Sequence, residues 1–195
     1  MCRAAETPHR PRPRGVPWPG PVCSSPSGSG TKKVKNFPAF DSLWLHYPAG
    51  KTAQEVKAMI GGLVNSSWIR NTCAIRMSHA LNYSGQPIPK GRLLKNGRFL
   101  STVTGADKLQ YAYRLAELKQ FLIEEYGPPT RSETAETVGT ANVPKEPFLG
   151  QRGVIVFDVR DFGDSTGHID LWDGADAKEH AYFASAHRVC LWRCD

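Results

Sequence analysis

Residues 71–82, NTCAIRMSHALN, pass from polar to periodic within three positions. Cys73, Ala74, Met77, Ala80 and Leu81 recur at the spacing of a helix buried on one side. Asn71 or Thr72 supplies the N-cap oxygen, so the pattern predicts a helix from Cys73 to about Leu81. Upstream, Thr52 and Glu55 form a capping box, and Val56, Met59, Ile60, Leu63 and Val64 follow at helical spacing. This predicts a helix over 52–64. NYSGQPIPKG reads as a loop by its Gly and Pro content. A long helix is predicted from about 107 to 126, ended by Gly127 and kept from resuming by Pro128 and Pro129. Residues 128–150 read as a long polar loop, of a length that often borders a functional site.

The pattern then shifts to that of strands. Residues 152–159, RGVIVFDV, predict a buried strand. In GHIDLWDG, Ile169 and Leu171 alternate with His168, Asp170 and Trp172, and Asp173–Gly174 signals a two-residue hairpin turn. HRVCLWR predicts the last strand. Helices first and antiparallel strands last give an α+β domain, with N-terminal helices packed on a C-terminal antiparallel sheet.

Charge changes this picture at one end only. The 195-residue chain carries a formal net charge of +7. Residues 1–35 hold seven basic side chains against Glu6 alone, which leaves +1 for residues 36–195. The same segment holds seven of the 15 prolines and ends in SSPSGSGTKK. It reads as a disordered Pro/Arg-rich tail, 1–35, ahead of one domain, 36–195. Basicity confined to a tail argues against a folded nucleic-acid groove. No apolar run of signal-peptide length opens the chain, and no segment approaches a membrane span, so synthesis in the cytoplasm with export by another route is expected.

Five cysteines do not make a disulfide framework. Cys190 and Cys194, in CLWRC, lie about 13 Å apart if that end is a strand, too far to bridge. As a lone CxxxC they are weak grounds for zinc, and no metal or cofactor is expected. Cys73 is the cysteine placed for chemistry. Free amides and the dipole at a helix start favour a thiolate, although a free cysteine also serves as a small core hydrophobe. A thiolate nucleophile needs a histidine to move protons and a third group to hold the imidazole. His168 follows Cys73 by 95 residues on a predicted strand, the order in which papain-like enzymes carry their pair. His9 falls in the tail, His46 precedes the cysteine, His79 lies off its helix face, and His180 and His187 lack a comparable setting. Read alone, His168 is also compatible with a surface strand position.

NTCAIRMSHALNYSG together with GVIVFDV and GHIDLWDG closely resembles the fourth family of type VI secretion amidase effectors, over about residues 36–195. The resemblance implies an NlpC/P60-like, papain-like fold. It implies an amidase toxin that cuts the γ-D-glutamyl–meso-diaminopimelate bond of peptidoglycan stem peptides. It also implies delivery by the type VI secretion apparatus into a rival's periplasm and a cognate immunity protein that protects the producer. The family's cysteine and histidine motifs fall on Cys73 and His168. Its third member, usually aspartate 11 residues after the histidine, falls on Glu179, and the cysteines members often carry two residues either side of it are here Ala177 and Ala181.

A two-residue turn at Asp173–Gly174 would set His168 opposite Glu179, with Cβ atoms roughly 4.5–5.5 Å apart. Asp170 is the alternative orienter, on the same strand face about 6.7 Å along. The Glu179 change also leaves open a murein-binding descendant with weakened catalysis. A nucleic-acid binder and a membrane protein are not expected.

Overall fold

The computed structural model describes residues 34–160 and 167–195. The segment read as a tail lies outside the described residues up to position 33, with Cys2, His9 and Cys23. Lys35, assigned to the tail's end, is anchored to the domain: its N–H donates to the Glu125 carbonyl (2.9 Å) and its Nζ pairs with the Glu125 carboxylate (2.9 Å).

Helices α1 (Phe40–His46), α2 (Ala53–Ile60) and α3 (Cys73–Tyr83) come first. A two-stranded ribbon, β1 (Thr102–Thr104) and β2 (Gln110–Ala112), precedes α4 (Leu115–Tyr126). Then come β3 (Arg131–Thr134), the short α5 (Ala135–Val138), and the strands β4 (Gly153–Val159), β5 (Gly167–Trp172) and β6 (Ala186–Arg193). The main sheet is antiparallel in the order β3-β6-β4-β5, so β5 is an edge strand. The fold is therefore α+β, helices first, as the hydrophobic pattern predicts. No described helix is long and apolar enough to cross a membrane.

The sheet is buried on both faces. Val154, Val156, Ile169 and Leu171 pack under α1, α3 and α4 through Leu43, Met77, Leu81, Leu118 and Leu122. On the other face Ile155, Phe157, Trp172, Val189 and Leu191 pack against Val143, Phe148, Tyr182 and Phe183. A third cluster joins Val56, Ile60 and Val64 to Ile75, Val103 and Tyr111.

Four expectations are corrected. The helix expected over 52–64 stops at Ile60: the capping box forms, but Gly61 adopts φ +67 and a 3-10 turn (Gly62–Asn65) follows. That backbone sign, costly for a side chain with a Cβ, breaks the helical register: Val64 still packs with Val56 and Ile60, but Leu63 is turned outward at 61% exposure. Met59, within the helix, is 47% exposed. The helix expected from 107 starts only at Leu115, because α3 captures the preceding residues as strand. Ser78 Oγ accepts from Ala112 N–H (3.0 Å), and Asn82 Nδ2 donates to the Gln110 carbonyl (2.9 Å). The expected 128–150 loop holds β3, α5 and a 3-10 turn (Glu146–Phe148), and it supplies Val143 and Phe148 to the second sheet face.

The fourth correction bears on the site. The turn after β5 is not a two-residue hairpin: Trp172 bridges Ala177, not Ala175. Asp173 Oδ1 accepts from the amides of Ala175 and Asp176 (2.7 Å each), which builds the wider turn from one side chain. The chain then runs beside the edge of β5, with Lys178 N–H on the Leu171 carbonyl (2.8 Å), instead of forming a paired strand. His168 and Glu179 are therefore not cross-strand partners.

Candidate active site

Cys73 is the first residue of α3. Thr72 is the N-cap residue but makes no side-chain cap bond. Asn71 Oδ1 instead accepts from the Cys73 amide (3.0 Å). The segment leading in is tethered from α2, where buried Lys57 donates Nζ to the Ile69 carbonyl (2.9 Å). The following turns sink the stripe Ala74, Met77, Ala80 and Leu81 into the core, which fixes the helix start against movement.

His168 enters from β5, which packs on α3. Its Nε2 lies 3.2 Å from Asp170 Oδ2. Asp170 is fully buried. Its Oδ1 accepts from Leu171 N–H (2.7 Å), and its Oδ2 accepts from Glu179 N–H (2.9 Å) and His180 N–H (3.0 Å). A buried carboxylate needs such partners, and they also fix its orientation. Burial pulls the His168 pKa down, but hydrogen bonds from its ring to Asp170 and to the Cys73 sulfur outweigh burial and push it up to about 9. With Nε2 on Asp170, Nδ1 is the ring nitrogen left for the sulfur.

Glu179 lines the same cleft but looks elsewhere. Its carboxylate accepts from the Gly50 amide and lies 3.6 Å from the Arg76 guanidinium. Arg76 is itself buried on α3 and donates to the carbonyls of Pro48 and Lys51. It ties α3 to the segment after α1 and to Glu179. Beside them Tyr182 sets its ring 5.0 Å from the imidazole, tilted by 57°. These groups surround an open cleft of about 420 Å³ whose rim adds Lys51, Thr52, Arg70 and His180. Among the described residues no cluster of His, Cys, Asp and Glu is arranged to hold a metal ion.

The structure thus brings Cys73, His168 and Asp170 into contact and sets Glu179 on the cleft wall. Arg76 and Tyr182 were missed from sequence. Arg76 had a signal: a cation three residues after Cys73 falls on the buried side of the same helix. Tyr182 had none, because its placement depends on how the chain returns after the wide turn.

A thiol at a helix start, an imidazole held by a buried carboxylate and an open cleft form the class of site that acyl transfer through sulfur requires, here on an α+β domain. The family model described as Tae4, type VI secretion system (T6SS), amidase effector protein 4, matches residues 69–192, and the chain belongs to that family. Solved structures agree. The chain is similar to the type VI effector Tae4 from Enterobacter cloacae (27% identity, TM-score 0.72), covering 84% of this chain and 100% of that one. It is similar to the effector of the Tae4-Tai4 effector-immunity complex from Salmonella Typhimurium (26% identity, TM-score 0.71; 82% and 100% covered). It is also similar to a structure of the Salmonella typhimurium effector Tae4 in complex with the immunity Tai4 from Enterobacter cloacae (25% identity, TM-score 0.71; 81% and 99% covered). Among curated protein sequences no relative matches.

Proposed function

We propose that the protein is a peptidoglycan amidase toxin with an NlpC/P60-like, papain-like fold. In this reading it cleaves the γ-D-glutamyl–meso-diaminopimelate bond of stem peptides with Cys73 as nucleophile, His168 as acid and base, and Asp170 as the group that orients the imidazole. The observation that carries the reading is Cys73 and His168 on one cleft with the imidazole held by buried Asp170 at 3.2 Å, an arrangement that raises His168 to about 9. A histidine held in its charged form beside a thiol favours an ion pair of thiolate and imidazolium.

The steps follow from that pair. The sulfur attacks the amide carbonyl, and the imidazolium gives its proton to the departing diaminopimelate amine. The γ-glutamyl group remains on sulfur as a thioester. The now neutral His168 takes a proton from water, whose oxygen attacks the thioester, and the thiolate and imidazolium are restored. Asp170 keeps Nε2 occupied throughout, so Nδ1 faces the reaction.

The substrate assignment rests on family and on charge. Lys51 and Arg70 line the cleft beside the Arg76–Glu179 pair, which leaves it a net positive charge. A stem peptide offers free carboxylates on D-glutamate and on diaminopimelate, and a cationic cleft suits them. The murein-binding alternative without catalysis drew on glutamate replacing aspartate at 179; a carboxylate in contact with His168 at Asp170 removes that motive. We infer delivery by the type VI apparatus, action in the target periplasm, and a cognate immunity protein, as in the Salmonella and Enterobacter effector-immunity complexes. Mass spectrometry of peptidoglycan digested by the protein tests the bond. A new free amine on diaminopimelate and a free γ-carboxyl on D-glutamate are expected; release at any other bond would overturn the substrate reading.

A further inference from the structure

A second groove meets the cleft at its Arg70 and Asn71 edge. It measures about 420 Å³ and is lined by Trp68, Ile69, Arg70, Asn71, Tyr113 and Arg114. Arg70 and Asn71 line both hollows, and Asn71 is the residue whose side chain holds the Cys73 amide. The two hollows therefore adjoin at Asn71, two residues before the thiol. The groove's floor is aromatic. Trp68 is 56% exposed and stands edge-on to Tyr113, with ring centroids 4.9 Å apart and planes at 78°. Arg114, also in the lining, sits 5.8 Å from the Tyr113 ring centre. A half-exposed tryptophan set against a second ring, with Arg70 and Arg114 in the same groove, offers an apolar surface beside guanidinium donors.

We propose that this groove binds the N-acetylmuramyl ring of the glycan strand to which the stem peptide is attached. The proposal rests on the amidase reading above and extends it from the peptide to the sugar. An aminosugar suits the surface: one face is lined with C–H groups and lies on an indole, while its hydroxyls and acetamide carbonyl accept hydrogen bonds from Arg70 and Arg114. The volume falls within the ~300–1,000 Å³ usual for small-ligand sites.

The test compares two substrates with the same scissile bond: the disaccharide tetrapeptide and the free tetrapeptide. The wild-type protein is expected to show the lower KM for the disaccharide form. Trp68→Ala should raise that KM about ten-fold, the ratio that about 1.4 kcal/mol represents, with kcat and the free-peptide KM unchanged. Equal KM values for the two substrates in the wild type would overturn the sugar site. So would a Trp68→Ala effect of equal size on both, or one confined to affinity for an immunity protein. A titration of the labelled protein with the N-acetylglucosaminyl–N-acetylmuramic acid disaccharide, read at the Trp68 indole N–H by NMR, decides the proposal independently of hydrolysis. The expected result is a saturable shift there, and no shift at millimolar sugar contradicts it. Hydrolysis of neither substrate would defeat the amidase reading and leave the sugar site to that titration.

Discussion

Asp170 and Glu179 are the two carboxylates that could hold His168, and their surroundings separate them. Asp170 Oδ2 touches the imidazole at 3.2 Å, while Glu179 is engaged by Gly50 N–H and Arg76. Asp170→Asn is therefore expected to lower kcat by orders of magnitude, because it disturbs the imidazole's tautomer and charge. Glu179→Gln should act mainly on stability, since it removes the carboxylate partner of Arg76 at the wall of the cleft, a loss of about 1 kcal/mol for a pair beside solvent. Steady-state rates beside denaturant melts distinguish the two; a Glu179→Gln protein of normal stability but crippled turnover would return the orienting role to Glu179. The pH dependence follows from His168, whose pKa lies above its ordinary 6.5, at about 9. A proton held more tightly in the folded state contributes stability that is complete below pH 6.5 and fades as pH rises through about 9. The basic limb of kcat/KM should fall in the same region, as the imidazolium is lost. NMR titration of His168 checks this: the value should drop in Cys73→Ala, which removes the sulfur's contribution, and Asp170→Asn should also lower it. A His168 titrating at its ordinary value in the wild type would contradict the ion-pair account.

At the level of elements, β5 does most to place the chemistry, and its first residue is the most constrained. Gly167 has φ +151, and a Cβ there would lie 2.0 Å from the Phe157 carbonyl oxygen. Gly167→Ala should therefore part β4 from β5 beside His168 and cost both stability and rate, seen as a lower Tm and a lower kcat. Unchanged melting would show that the strand pair tolerates the methyl group. The sequence made this part of the molecule readable. The alternation of Ile169 and Leu171 with His168 and Asp170, and the stripe that follows Cys73, depend on local periodicity alone. What stayed hidden depends on contacts distant in sequence. β2 looked helical because the competing bonds come from Ser78 and Asn82 on α3. The turn after β5 looked like a two-residue hairpin because Asp-Gly is the usual signal, yet Asp173 uses its carboxylate to cap a wider turn. That two-residue difference takes Glu179 out of register with His168 and leaves Asp170 as the carboxylate on the imidazole.

At the scale of the whole molecule, the described residues assemble a helical layer and a sheet whose shared boundary positions the thiol against the imidazole. Among the described residues, all three apolar clusters draw on Phe37 onward. Removal of residues 1–33, which keeps the Lys35 contacts with Glu125, should leave Tm and specific activity nearly unchanged; a fall of many degrees would place core contacts in that segment. The central claim is that Cys73 attacks the substrate, and its most direct measurement is the rate at which Cys73→Ala releases diaminopimelate amine from a defined stem peptide, with circular dichroism confirming the fold. The account predicts a native spectrum and a rate reduced by several orders of magnitude. A natively folded Cys73→Ala protein that hydrolyses the peptide within ten-fold of the wild-type rate would contradict it.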